Sequence, residues 1–211
     1  MSSSALLSSV SSPPLSLPLS ASSVSDTGWA DNARQSPSPN FTARADGEQP
    51  SLLVIHNISM PPGRFATGDI EALFCNTLDF DADPFYQTIR GLRVSAHFLI
   101  TRAGETVQFV STLDRAWHAG VSSFNGRAGC NDFAIGIELE GCDDLPFDPT
   151  QYTVLAQLTT AIRARHAITA VVGHSDIAPG RKTDPGPYFD WAAFANAASL
   201  SRDLLPFASG V

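Results

Sequence analysis

Two histidines, His56 and His174, each follow a short apolar run directly, and Asp184 comes ten residues after the second. Side chains at the ends of neighbouring strands can converge on one edge of a sheet, where active sites are commonly built. Two imidazoles and one carboxylate suit a catalytic zinc ion, because three protein ligands leave the fourth tetrahedral position for water. The same three residues are also compatible with two hydrogen-bonded core histidines and an aspartate that forms a turn. Between Gly173 and Pro187 the prolines and glycines that follow His174 predict a rigid loop rather than a helix.

Glu138 is the best candidate for a general base, since a carboxylate in an otherwise apolar strand is costly to bury unless it serves a site. Glu140 shares its strand face, so alternation alone does not separate the two; its position beside Gly141 favours a solvated role. Lys182 stands two residues before Asp184 and is placed either to donate to an oxyanion or to face solvent. His118, in Ala116-Trp117-His118-Ala119-Gly120, belongs either to a pocket wall or to a loop packed by Trp117. His97 is expected to bond within the core, and His166, beside Arg163 and Arg165 near a helix end, to be exposed.

The elements that must position these groups are legible in outline. Leu52 to Ile55 reads as a strand buried on both faces, ending at His56-Asn57. Asp69 helps to start a short helix carrying Ile70, Leu73 and Phe74, and Asp83-Pro84 starts another. Val94 to Thr101 and Glu105 to Val110 form a hairpin around Ala103-Gly104, with His97 in its first strand. In Phe133 to Leu139 the apolar residues alternate, leaving Glu138 on the opposite face. Thr150 caps a helix through Ile162, and Ala170 to Val172 is a last strand before Gly173-His174. Strands alternate with helices around one hairpin, which predicts an α/β domain with a mixed sheet covered by helices.

Composition narrows the rest. With 13 basic and 21 acidic side chains the formal net charge is -8, which argues against a nucleic acid partner. Cys75, Cys130 and Cys142 show neither a C-x-x-C pair nor a zinc-finger spacing, and are expected to be reduced thiols of a cytosolic protein. No Lys or Arg precedes Arg34, unlike a secretory signal, and Pro13, Pro14 and Pro18 break every apolar run that could span a membrane. Residues 1–27 are therefore expected to be a disordered Ser/Pro-rich extension, 28–198 a single domain whose first part, to Pro50, is an irregular arm, and 199–211 a tail.

Five blocks together resemble the AmpD-type 1,6-anhydro-N-acetylmuramyl-L-alanine amidases. They are Ser51-Leu52-Leu53-Val54-Ile55-His56-Asn57-Ile58-Ser59, Arg93-Val94-Ser95-Ala96-His97, Ala116 to Gly120, Asn131 to Gly141 around Ile137-Glu138-Leu139, and Gly173-His174 through Lys182-Thr183-Asp184-Pro185-Gly186-Pro187. The resemblance implies the amidase-2 fold, a central mixed β-sheet flanked by α-helices, shared with peptidoglycan recognition proteins. It implies one Zn2+ ion on His56, His174 and Asp184, with Glu138 and Lys182 as the catalytic pair. Asn57, Arg93, Ala116, Trp117, His118 and Arg127 are expected around the substrate, and Gly129 departs from an arginine of the enterobacterial relatives. The implied activity is hydrolysis of the amide between the muramic lactyl group and L-alanine in a small muropeptide, by a cytoplasmic monomer without membrane attachment. A muropeptide receptor with a vestigial site and a broad amidase of polymeric murein are the competing readings.

Overall fold

Residues 22–208 are described by a computed structural model. The arm contributes two short strands, β1 (Arg34–Gln35) and β2 (Phe41–Ala43), before the central strand β3 (Leu52–Ile58). Helices α1 (Asp69–Phe74) and α2 (Pro84–Thr88) precede the hairpin of β4 (Phe98–Ile100) and β5 (Thr106–Gln108). Strands β6 (Asp114–Ala116), β7 (Ser123–Phe124) and β8 (Arg127–Ala128) lead to β9 (Ala134–Glu140), and α3 (Pro149–Arg165) returns the chain to β10 (Ala170–Gly173). Two helices, α4 (His174–Ile177) and α5 (Trp191–Ala197), follow.

Six strands form one sheet in the order β1-β5-β4-β9-β3-β10, parallel except for the β4–β5 hairpin, so the expected mixed sheet is what folds. Alternation divides its faces. Leu53, Ile55, Ile135, Ile137 and Leu139 point to one side and pack with Leu155, Leu158 and Ile162 of α3 and Phe194 of α5. On the other side, Met60, Ile70, Leu73, Phe74 and Tyr86 form a second core beneath α1 and α2. His56, Gly136 and Glu138 have even parity and open onto this second side.

Several boundaries differ from the sequence expectation. β3 does not end at His56-Asn57: backbone pairing with β9 continues to Ile58↔Glu140, because the ladder needs amides and not apolar side chains. α3 is capped by Asp148 rather than Thr150. The Asp148 carboxylate accepts from Thr150 N at 2.8 Å, the Gln151 side chain accepts from Asp148 N at 3.0 Å, and Pro149 takes the first helical position. Asp69 lies inside α1, whose cap is Gly68, whereas Asp83 caps α2 as expected. Immediately after β10 a single helical turn, α4, interrupts the expected loop. His97 sits one residue before β4, buried, with Nδ1 accepting from Gly136 N at 3.0 Å. His166 is not exposed; the chain turns inward after α3, and its Nε2 meets Thr112 Oγ1 at 2.8 Å.

The arm is fastened from within, since the Arg44 guanidinium donates to Asp132 O at 2.7 Å and Ala134 O at 2.8 Å. Of the expected extension, residues 1–21 lie outside the described residues; beyond them Val24 bridges Ala30 and Ser23 bonds Asp31. Leu200 and Leu205, placed in the expected tail, are buried in the core beside α3 and α5. All three cysteines are free thiols, and no described helix is long and apolar enough to cross a membrane.

Candidate active site

Strand register builds the site. β3 and β9 run parallel with His56 directly opposite Glu138, which puts both side chains on the same face; His56 Nδ1 lies 4.0 Å from Glu138 Oε1. β10 pairs with β3 up to Gly173↔Ile55, so the next residue, His174, comes alongside His56. The two Nδ1 atoms are 2.9 Å apart. Asp184 then enters from the loop after α4, its Oδ2 3.0 Å from His56 Nδ1 and 3.1 Å from His174 Nδ1. All three residues are buried.

This donor set fits a cation. Nε2 of His174 faces the carbonyl of Ala119 at 3.0 Å, and a carbonyl can only accept, so that nitrogen carries the proton and Nδ1 of the neutral ring presents a lone pair. A second imidazole nitrogen and a carboxylate oxygen converge on the same point, with the three ligand atoms within 4.8 Å of one another. Two imidazoles, of borderline softness, and one harder carboxylate oxygen make a mixed set of the kind zinc takes at catalytic sites.

Burial lowers the His56 pKa to about 4. Burial alone would raise Asp184, but its close contacts with the His174 and His56 rings outweigh it and hold that carboxyl well below its ordinary value. For Glu138, burial and the nearby charge of Asp184 push the pKa well above the usual carboxylate range, with Lys182 acting in the opposite sense. Glu138 Oε2 is buried without a hydrogen-bond partner.

A cavity of about 260 Å³ opens over these groups, lined by His56, His118, Glu138, His174, Lys182 and Asp184. Its far wall is apolar, made by Leu73, Phe85, Ile89, Leu92 and Val94. Asn57 lines the cavity too, and its orientation is fixed: Nδ2 donates to Asp143 Oδ1 at 2.7 Å and Pro185 O at 3.1 Å, leaving Oδ1 free to accept.

The remaining expected substrate contacts separate from this cavity. Ala116 is fully buried in the core under α1, where its methyl group has no access to a ligand. Arg93 is exposed beside Leu92 and Val94 but is not part of the lining. Trp117 is half-buried with its backbone tied to Ser95, and lies outside the lining. Arg127 is paired with Glu48 at 2.5 Å and lies over the Phe133 ring at 4.0 Å. Gly129, with φ +74°, holds a backbone conformation that an arginine would adopt only with strain, and Asp132 crowds the place of its missing Cβ.

Glu140 is also resolved. It is buried rather than solvated, because Oε1 accepts from Ala66 N at 2.5 Å and Oε2 from Arg102 N at 3.0 Å. Sequence reasoning missed Asp143, which orients Asn57, and Asn131, whose Oδ1 accepts from both His118 N and Ala119 N. Only their places just beyond and just before β9 hinted at either.

An α/β sheet that gathers two imidazoles and a carboxylate over one cleft, beside a second, protonatable carboxylate, can hold a metal ion next to a general base, an arrangement suited to hydrolysis. The model of the N-acetylmuramoyl-L-alanine amidase family (Amidase_2) matches residues 46–187, and the chain belongs to that family. It is 54% identical over 178 residues, 83% of this chain and 95% of the relative, to the 1,6-anhydro-N-acetylmuramyl-L-alanine amidase AmpD of Salmonella typhimurium (strain SL1344). A crystal structure of a selenomethionine derivative of AmpD shares 56% identity and superposes with TM-score 0.80, covering 82% of this chain and 97% of that one. The AmiD amidase of E. coli, solved with anhydro-N-acetylmuramic acid-L-Ala-D-gamma-Glu-L-Lys as substrate, is 32% identical with TM-score 0.52, covering 75% and 65%. The chain is thus an N-acetylmuramoyl-L-alanine amidase of AmpD type.

Proposed function

We propose that this amidase acts on small 1,6-anhydro-muropeptides in the cytoplasm, with one Zn2+ ion held by His56 Nδ1, His174 Nδ1 and Asp184 Oδ2. The observation that carries the reading is the convergence of those three atoms within 4.8 Å, beside Glu138 and over one cleft. When bound, the ion would supply Lewis acidity, lowering the pKa of a water and polarising the lactyl carbonyl.

The chain's own groups do the remainder. Glu138 takes a proton from the attacking water on its unpartnered oxygen as the water oxygen adds to the lactyl carbonyl carbon. Lys182, exposed at the cavity edge, donates a hydrogen bond to the carbonyl oxygen as negative charge grows there. The carbon–nitrogen bond then breaks, and Glu138 returns the proton to the departing alanine nitrogen, leaving a lactyl carboxylate and a free peptide amine. Asn57 Oδ1 faces the substrate as an acceptor, and the apolar wall from Leu73 to Val94 excludes water from one side.

The substrate class rests on the AmpD relatives and on the anhydro-muropeptide seen in AmiD. Free thiols at Cys75, Cys130 and Cys142 favour a reducing compartment. A monomer needs no second copy to complete this site. The test is metal analysis joined to hydrolysis of an anhydro-muropeptide, followed by mass spectrometry, with and without a chelator. Near-stoichiometric zinc, release of free peptide, loss on chelation and restoration by zinc are expected; cleavage that persists in the metal-stripped protein rejects the metal assignment. Comparable turnover of intact sacculi rejects the small-substrate assignment.

A further inference from the structure

The segment Trp117-His118-Ala119 faces the back of both histidines in the site. Nε2 of His174 meets the Ala119 carbonyl at 3.0 Å, and Nε2 of His56 meets Nδ1 of His118 at 2.9 Å. The first contact sets the tautomer, because the carbonyl at 3.0 Å has no proton to give, whereas the Arg181 guanidinium stands farther from the same nitrogen, at 3.4 Å, and donates to the Ala119 carbonyl at 2.7 Å. The second is ambiguous in isolation, since either imidazole could donate.

The orientation of His56 resolves it, and the surroundings of His118 support the outcome. His56 Nδ1 is turned toward His174 and Asp184, so when that nitrogen serves as a ligand, its proton resides on Nε2 and must be donated to His118 Nδ1. That leaves the proton of His118 on its own Nε2, which is buried and has no partner. A buried donor without an acceptor needs an explanation, and the work done by the opposite nitrogen of the same ring supplies one. Space for the ring is made specifically: a Cβ at Gly136 would come within 2.5 Å of His118 Cγ and Nδ1, so only glycine on β9 lets the imidazole lie behind His56. Finally, the backbone that carries the ring is pinned by one buried amide, with Asn131 Oδ1 accepting from His118 N at 3.1 Å and Ala119 N at 2.8 Å.

We infer that His118 is a positioning residue: its Nδ1 accepts the outer N–H of His56 and so holds the inner nitrogen as a lone pair aimed at the metal. The 117–119 segment, fixed by Asn131, acts as a shelf that sets the tautomer of both histidines, through a side chain for His56 and a carbonyl for His174. His118 thereby gains a role other than contacting the sugar or peptide. The inference rests on the zinc reading above.

The experiment compares zinc affinity, by chelator competition, in the wild type, His118→Leu and His118→Asn. Leucine removes the acceptor at similar volume, whereas the asparagine amide oxygen can occupy the place of Nδ1. Zinc affinity should fall about 10–100-fold in His118→Leu and recover to within about threefold of wild type in His118→Asn. In nitrogen-15-labelled, zinc-loaded wild type, His118 should carry its proton on Nε2 and His56 should show an exchange-protected Nε2–H. This spectrum needs no variant to fold. Equal affinity in wild type and His118→Leu, or a His118 proton on Nδ1, overturns the inference while leaving the zinc site standing. A wild type that binds no zinc overturns both.

Discussion

Glu138 and Glu140 are chemically alike, two residues apart on one strand face, and the structure gives them opposite employment. Glu140 spends both oxygens on backbone amides, Ala66 N and Arg102 N, tying the loop before α1 to the β4–β5 hairpin. Glu138 keeps Oε2 unpartnered beside His56, where burial raises its pKa. Glu138→Ala should therefore lower kcat by at least about 100-fold with zinc content unchanged, as read by steady-state kinetics and metal analysis. Glu140→Ala should instead destabilise the fold, by about 1–3 kcal/mol in denaturant unfolding, with kcat reduced less than about tenfold. If the two variants exchange these phenotypes, the assignment of the base is wrong. Sequence pattern narrowed the choice to this pair and favoured Glu138 only through the place of Glu140 beside Gly141, since alternation reports a face and not a partner. The meeting of His56 with His174 was within reach, because each directly follows an apolar run. The substrate residues were less legible: whether Ala116 or Arg127 meets a ligand depends on which elements lie over them, and neither neighbour is near in sequence.

Secondary structure was read well where a strand is buried on both faces or a helix begins with a strong signal. β3, β9, β10 and the Asp83-Pro84 start of α2 all formed, because apolar runs and a proline act locally. Ends were less accurate, since His56 and Asn57 remain in β3 through backbone pairing alone. The α3 cap illustrates another limit: Asp148 and Thr150 are both good cap residues, and what selects Asp148 is Gln151, whose side chain also serves the tertiary structure. Gln151 is fully buried. Its Nε2 donates to Ile100 O at 3.2 Å and Glu140 O at 3.1 Å, so one amide joins α3 to β4 and β9. Gln151→Leu keeps the volume but strands two buried carbonyls and the Asp148 amide, and should cost on the order of 2–4 kcal/mol. Thermal unfolding measures this directly; a melting temperature equal to wild type would mean that the helix docks through its apolar face alone.

At the scale of the whole molecule, buried neutral histidines set the response to acid. His166 has its pKa lowered to about 4, first by burial and then by Arg165 and Arg44; His97 is lowered to about 3, first by burial and then by Arg44. In the unfolded chain both return to the ordinary value near 6.5. Between 6.5 and the folded values the unfolded state binds more protons, so these groups contribute stability that is full above 6.5 and is lost progressively as pH falls toward 4 and then 3. His56 adds the same sign in zinc-free protein. Carboxylates act at lower pH: Glu71, held below its usual value by Arg34, loses its contribution only as pH falls below about 4.5. Between 6.5 and 5 the buried histidines lower stability as pH falls, while Glu138, whose raised pKa lets the folded state take up its proton first, opposes them over the same range. Urea midpoints of the metal-free protein should fall between pH 7.5 and pH 5. His166→Gln can still meet Thr112 Oγ1 but does not titrate, so its fall over the same interval should be smaller than that of the wild type. A drop of the same size in both would show that His166 is protonated in the folded chain near its unperturbed value and that its burial has no bearing on acid stability.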